Sequence, residues 1–162
     1  MTHRKLPEQR TVYRIGDSKG RYPIFSGEGA KLSEGRWHQK GQDPIYAAEH
    51  LSLAMLEKLV HFNGIFPAGQ HSIEIAVPKG TSYEVVTRDQ IPNWYDASGA
   101  SARKFGSEWF RETRSCILIV PSVVVRTENN LLINPNHSDF SSIKPGLETP
   151  VTWDGRLYSP PA

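Results

Sequence analysis

FSGEGAKLSEGRWHQKGQDPIYAAEHLSLAMLEKLVHF, residues 25–62, passes through three kinds of local structure in thirty-eight residues. It opens as a Gly-rich loop with one arginine, Arg36. It continues through a short apolar run, PIYAA, that carries Tyr46. It closes in a segment whose Leu51, Ala54, Met55, Leu59 and Phe62 recur at three- and four-residue steps, the period of a helix with one core face. The spacing predicts that helix over Glu49 to Phe62, with Gly64 and Pro67 ending it. Glu57 falls at the border of the core face, between His50 and His61. A guanidinium fork, an aromatic hydroxyl and a carboxylate on consecutive elements are suited to holding a phosphorylated sugar. Each of the three is also an ordinary surface residue when taken alone.

Outward from this stretch, short strand patterns dominate. TVYRI (11–15) precedes it, after which Gly16, Gly20, Gly27, Gly29 and Gly35 with Pro23 make residues 16–35 a loop. Loops of that length in a compact domain usually bind something. Following the helix, Ile73 to Val77 alternate as a half-buried strand and TSYEVVT forms another. Residues 89–100 are a loop, and SARKFGSEWFRET reads as a second helix with Ala102, Phe105, Trp109 and Phe110 inward. CILIVPSVVV is a continuous apolar strand interrupted at Pro121–Ser122, hence two strands or one bulged strand. Leu131 to Ile133 and a final edge strand in PVTWDGRLY complete the chain. Irregularly ordered short strands with two helices indicate α+β, with small, mostly antiparallel sheets, in a single domain over 1–162 with its core at about 11–158.

Composition narrows the function. The 162 residues carry 19 Lys and Arg against 17 Asp and Glu, a net charge of +2. Arg103, Lys104, Arg111 and Arg114 are interleaved with Glu108 and Glu112, a solvated helix face and not a nucleic-acid stripe. No apolar run approaches the ~20 residues of a membrane span, and MTHRKLPEQR has no apolar segment of a signal peptide behind its charges. One cysteine, Cys116 in CILIV, excludes an internal disulfide framework and reads as a buried hydrophobe. These features point to the cytoplasm. SGEGA lacks the order and following helix of a dinucleotide fingerprint, and no P-loop occurs. His50 and His61 stand about 16 Å apart along the helix, so no metal bridges them, and HExxH is absent. A Ser122–His137 nucleophile lacks its GxSxG elbow.

The ordered set VYRIG, FSGEGA, GRWH, IYAAEHLSLAMLE, ILIVPSVVV, ENNLLINP and WDGRLY resembles the RES domain, from about Tyr13 to Tyr158. The resemblance implies a fold related to the ADP-ribosyltransferases and a bacterial toxin that degrades NAD⁺ as glycohydrolase or phosphorylase. Carried over by motif, Glu57, Arg36, Tyr46 and Ser122 would be catalytic, with Ser115 a rival for the serine. Arg14, Gly27, Gly29 and Trp37 would line the dinucleotide. NAD⁺ enters as substrate and phosphate as a candidate co-substrate; no cofactor or metal is implied. The resemblance also implies an Xre-like helix-turn-helix antitoxin in a hetero-oligomer, with DNA met only through that partner. Transfer of ADP-ribose to a protein is the alternative reaction. From other classes come an RNA-cleaving or nucleic-acid-binding toxin using His38, His50, His61 and His137, and a non-catalytic interaction module.

Overall fold

A computed structural model describes residues 4–158. Among these residues, nine strands form one sheet with two helices packed on it: β1 (Arg4–Lys5), β2 (Arg10–Asp17), β3 (Ile45–Ala48), α1 (Leu51–Phe62), β4 (Gln70–Val77), β5 (Ser82–Val85), α2 (Ala100–Glu112), β6 (Ile117–Pro121), β7 (Asn129–Ile133), β8 (Lys144–Pro145) and β9 (Thr149–Pro150). The spatial order is β1-β5-β6-β7-β3-β2-β4-β8, and β9 also pairs β4. Every pair is antiparallel except β5–β6, whose connection runs through α2. The α+β expectation stands, but the strands join one continuous sheet instead of several small ones.

The pleat explains the two core layers. Ile117 and Ile119 of β6 and Leu131 and Ile133 of β7 point into one cluster with Val12, Ile75 and Val77. Leu118, Val120 and Leu132 point to the opposite face, where they meet Trp109, Phe110 and Ala102 of α2. A strand buried on both faces must be apolar at every position, which is why CILIV shows no alternation. A third cluster joins Leu53 and Ala54 of α1 to Ile15 and Ala48.

Several local expectations change. Helix α1 starts two residues late, with His50 as N-cap, and ends at Asn63 in the left-handed region (φ 54). Its buried residues are Leu53, Ala54 and Leu59, whereas Leu51 and Phe62 are exposed. The face is rotated because α1 lies across β2 and β3, so Leu53, and not Leu51, meets the sheet. Val123–Val125 form no strand: they make a turn in which the Ser122 hydroxyl accepts from the amides of Val124 and Val125. The long loop holds a 3₁₀ turn at Glu28–Leu32. The tail adds only Thr149–Pro150 to the sheet. Trp153 then stacks on Phe66, and the Tyr158 hydroxyl donates to the carbonyl of Leu59.

One seam in the sheet matters for function. β2 pairs β4 over eight residues but meets β3 only at Tyr13–Ala48. Beyond that point the strands part, and Arg14 stands at the opening.

Candidate functional site

The opening between β2 and β3, roofed by α1, forms a cleft with two lobes. The inner lobe, about 220 Å³, is lined by Arg14, Tyr46, Glu57, Lys58, His61 and Asn130 together with apolar neighbours. The outer lobe, about 570 Å³, reaches the Gly-rich loop and adds Gly29, Gly35, Arg36 and Val124. Arg14, Tyr46, Glu57, His61 and Asn130 belong to both lobes, so the two meet around Glu57.

Arg14 is fixed entirely by backbone oxygens. Its Nε donates to Ile24 O (2.6 Å), Nη1 to Tyr46 O (2.8 Å) and Nη2 to Ser26 O (3.3 Å). The bond to Tyr46 O takes the place of a ladder bond where β2 and β3 diverge, and among the described residues no carboxylate pairs with the guanidinium. Burial lowers its pKa to about 10, which leaves it a cation at neutral pH. Lys58 beside it forms no hydrogen bond or ion pair among the described residues, and burial, with Arg14 nearby, lowers its pKa as well. The inner lobe thus presents fixed positive charge without a paired counter-ion, the setting that attracts phosphate oxygens.

Glu57 is anchored through one oxygen. Its Oε1 accepts from Ser122 Oγ at 2.8 Å and from Asn130 Nδ2 at 2.7 Å. Oε2 has no partner among the described residues. Ser122 is fully buried, and its one proton goes to Glu57, a bond that orients the acid. Ser115 lies elsewhere, under α2, accepting from Trp109 Nε1 and donating to Ile117 O. Asn130 lies in the ENNLLINP motif, but nothing there separates it from Asn129; its place next to β3 in the sheet puts it opposite Glu57.

Tyr46 faces the cleft with its hydroxyl turned inward. His38, 4% exposed, sits with Nε2 at 2.8 Å from Ala30 O and 3.0 Å from Ser33 O. Two carbonyls around Nε2 require a proton there, so in the neutral ring Nδ1 accepts from the Tyr46 hydroxyl at 2.7 Å. The Trp37 amide donates to the same hydroxyl oxygen. Burial drives the Tyr46 pKa upward. The tyrosine thus offers an aromatic wall, and not a proton, to a ligand. His38 belongs to this framework rather than to a free acid–base pair.

Arg36 lines the outer lobe and ties down the 94–96 segment outside it. Its Nη1 donates to Trp94 O (2.8 Å) and Asp96 O (2.7 Å), while Nε and Nη2 carry no bond among the described residues. Trp37 borders the outer lobe beside Arg36, and its indole is buried against α2. There Gly106 is required, since a Cβ would stand 2.0 Å from Trp37 O. Gly27 likewise serves a backbone crossing, where a Cβ would lie 1.8 Å from Asp43 O, and Gly29 borders the outer lobe with open space beside it. Among the described residues the ligand atoms of Glu49, His50 and Glu128 converge at the start of α1, but they bond one another and Asn129, away from either lobe.

The family model for the RES domain matches residues 11–154. Among characterised proteins, the chain is 44% identical over 138 residues to the "Prs ADP-ribosylating toxin" of Sphingobium sp., covering 82% of this chain and 86% of that one. It is 36% identical over 140 residues to "Toxin Res" of Yersinia enterocolitica (83% and 92%) and 37% identical over 132 residues to "Toxin Res" of Photorhabdus laumondii (80% and 84%). Among solved structures, the M. tuberculosis MbcT–MbcA toxin–antitoxin complex contains a chain of the same fold, with TM-score 0.71 at 16% identity, covering 95% of this chain and 89% of that one.

Proposed function

The chain belongs to the RES domain family, and from that premise we propose that it is the toxin of a toxin–antitoxin pair and consumes NAD⁺ by breaking the nicotinamide–ribose bond. The observation that carries this reading is a carboxylate with one oxygen anchored and one free of partners, in the same cleft as two arginines that form no ion pair among the described residues. A dinucleotide needs both features, cations for its diphosphate and a negative charge for its reacting ribose.

Breaking the bond passes through an oxocarbenium-like state in which positive charge grows on the sugar. A carboxylate already in place stabilises that state more than the ground state and needs no reorganisation at the moment of reaction. Glu57 Oε2 has that role, meeting the ribose by charge or through its hydroxyls. Nicotinamide departs from a cationic pyridinium as a neutral ring, so the second, protonating carboxyl of a glycosidase is not needed. That accords with Glu57 being the one acid, among the described residues, shared by both lobes. Arg14 and Lys58 take phosphate oxygens, Arg36 adds its free N–H groups from the outer lobe, and Tyr46 packs against a ring.

Water or phosphate as acceptor makes the protein a glycohydrolase or phosphorylase. A second reading, transfer of ADP-ribose to a protein, is favoured by the name of the 44% identical relative. Both share the bond that breaks and differ in what closes on the sugar. The structural neighbour is held in a toxin–antitoxin complex, which supports a restraining antitoxin here as well; an Xre-like protein in a hetero-oligomer is the form we propose. Incubation of the purified protein with NAD⁺, with and without phosphate and with a candidate target protein, tests the whole reading. Nicotinamide release is expected in some arm. Free ADP-ribose, its phosphate ester, or a protein adduct seen by mass spectrometry identifies the acceptor. Absence of nicotinamide in every arm would overturn the proposal.

A further inference from the structure

Asn130 has no part in the chemistry described so far beyond its bond to Glu57, yet its placement is demanding. It is the second residue of β7, held by pairing with Ala48 of β3 on one side and Val120 of β6 on the other. Its side chain therefore starts from one of the best-anchored stretches of backbone around the cleft. The other donor to Glu57, Ser122, sits in a turn in which two amides point at its oxygen, at 3.1 and 3.0 Å. With both lone pairs so occupied, the hydroxyl can only donate, and it donates to Oε1.

Two donors on the same carboxylate oxygen have a directional consequence. They saturate Oε1, hold the plane of the carboxylate through two independent backbone supports, and leave Oε2 as the oxygen available to a ligand. We infer that Asn130 is a positioning residue which, with Ser122, orients Glu57 so that Oε2 meets the substrate ribose. The inference rests on the NAD⁺ reading for its consequence in catalysis, but the clamp itself is a property of the protein alone. A merely structural amide would behave differently on removal: the melting temperature would fall, while turnover per folded molecule would stay the same.

The test uses Asn130→Leu, similar in shape but without a donor, with Asn130→Ala as a second variant should the first fail to fold. Readouts are kcat and KM for NAD⁺, the melting temperature, and the crystal structure of the variant. A reacting group misplaced by about 1 Å costs on the order of 10²-fold, so kcat is expected to fall ten- to a hundredfold with KM within about threefold of wild type. Adding Ser122→Ala should cost less than it does alone, because both residues act through one carboxylate. In the crystal, the Glu57 carboxylate should leave its wild-type position. Wild-type kcat in the variant overturns the inference. If the wild-type protein itself releases no nicotinamide, the NAD⁺ reading fails on its own, and the crystal structure still decides the clamp: a Glu57 carboxylate unmoved in Asn130→Leu overturns it.

Discussion

Replacing Glu57 by glutamine separates charge from shape. The amide oxygen introduced by Glu57→Gln can accept both hydrogen bonds now made to Oε1, from Ser122 and Asn130, so the clamp and the fold persist. What disappears is the negative charge that the proposed reaction sets opposite the developing sugar cation. At a contact of about 4 Å and an effective dielectric of about 20, that attraction amounts to about 4 kcal/mol, or roughly a thousandfold in rate. Single electrostatic partners removed from other enzymes cost ~10²–10³, so a loss of two to three orders of magnitude in kcat is expected. Glu57→Ala differs, since it strands the buried Ser122 hydroxyl at about 1–3 kcal/mol together with the half-buried Asn130 amide, and should lower the melting temperature by several degrees. The assay is nicotinamide release at saturating NAD⁺, with calorimetric melting of each variant. A Glu57→Gln protein that keeps more than about a tenth of wild-type kcat, folded and saturated, refutes the electrostatic role.

Arg36→Lys should raise KM for NAD⁺ severalfold and loosen the 94–96 segment, because an ammonium cannot reproduce the bonds to Trp94 O and Asp96 O while also meeting a ligand. Faster amide hydrogen exchange over residues 94–99 would register the second effect, and unchanged exchange would contradict it. Lys58→Met keeps the apolar stem and removes a half-buried ammonium whose pKa is depressed by burial and Arg14. A lysine with a depressed pKa binds fewer protons in the fold than when unfolded, so it contributes instability below its unfolded value that fades as pH rises. The variant should therefore melt higher at pH 7, with a smaller gain toward pH 10, while its KM for NAD⁺ rises. Burial, helped by Asp139, holds the Cys116 thiol up at about 12, so at pH 8 the folded protein should resist alkylation and react only on unfolding; labelling followed by mass spectrometry checks this.

Much of the fold could be read where local pattern and tertiary packing agree. The second helix, the strands around Ile73–Val77 and Leu131–Ile133, and the run ILIV lie close to where periodicity puts them. Disagreement arises where a neighbour decides. Leu51 and Leu53 are equally apolar, and only the way α1 crosses β2 and β3 selects Leu53. Val123–Val125 have strong strand propensity, but the Ser122 hydroxyl captures two of their amides and bends the chain. Glu57 and Arg36 do share a cleft, as the motif order implied. Trp37, adjacent to Arg36, borders the cleft but buries its indole in the α2 core, where Gly106 lets its backbone seat directly on that helix. Asn130 and Lys58 were beyond reach for another reason: their significance lies in what stands across from them, seventy-three residues away for the Asn130–Glu57 bond.

The parting of β2 from β3 makes Arg14 both mortar and bait. Its bond to Tyr46 O joins two strands that lack their own ladder there, its bonds to Ile24 O and Ser26 O tie the Gly-rich loop to the same point, and in the proposed reaction its charge is the lure for the substrate's phosphates. A genetic screen for harmless variants would consequently recover Arg14 substitutions as insoluble or degraded protein, whereas Glu57 substitutions would accumulate as soluble, inert protein.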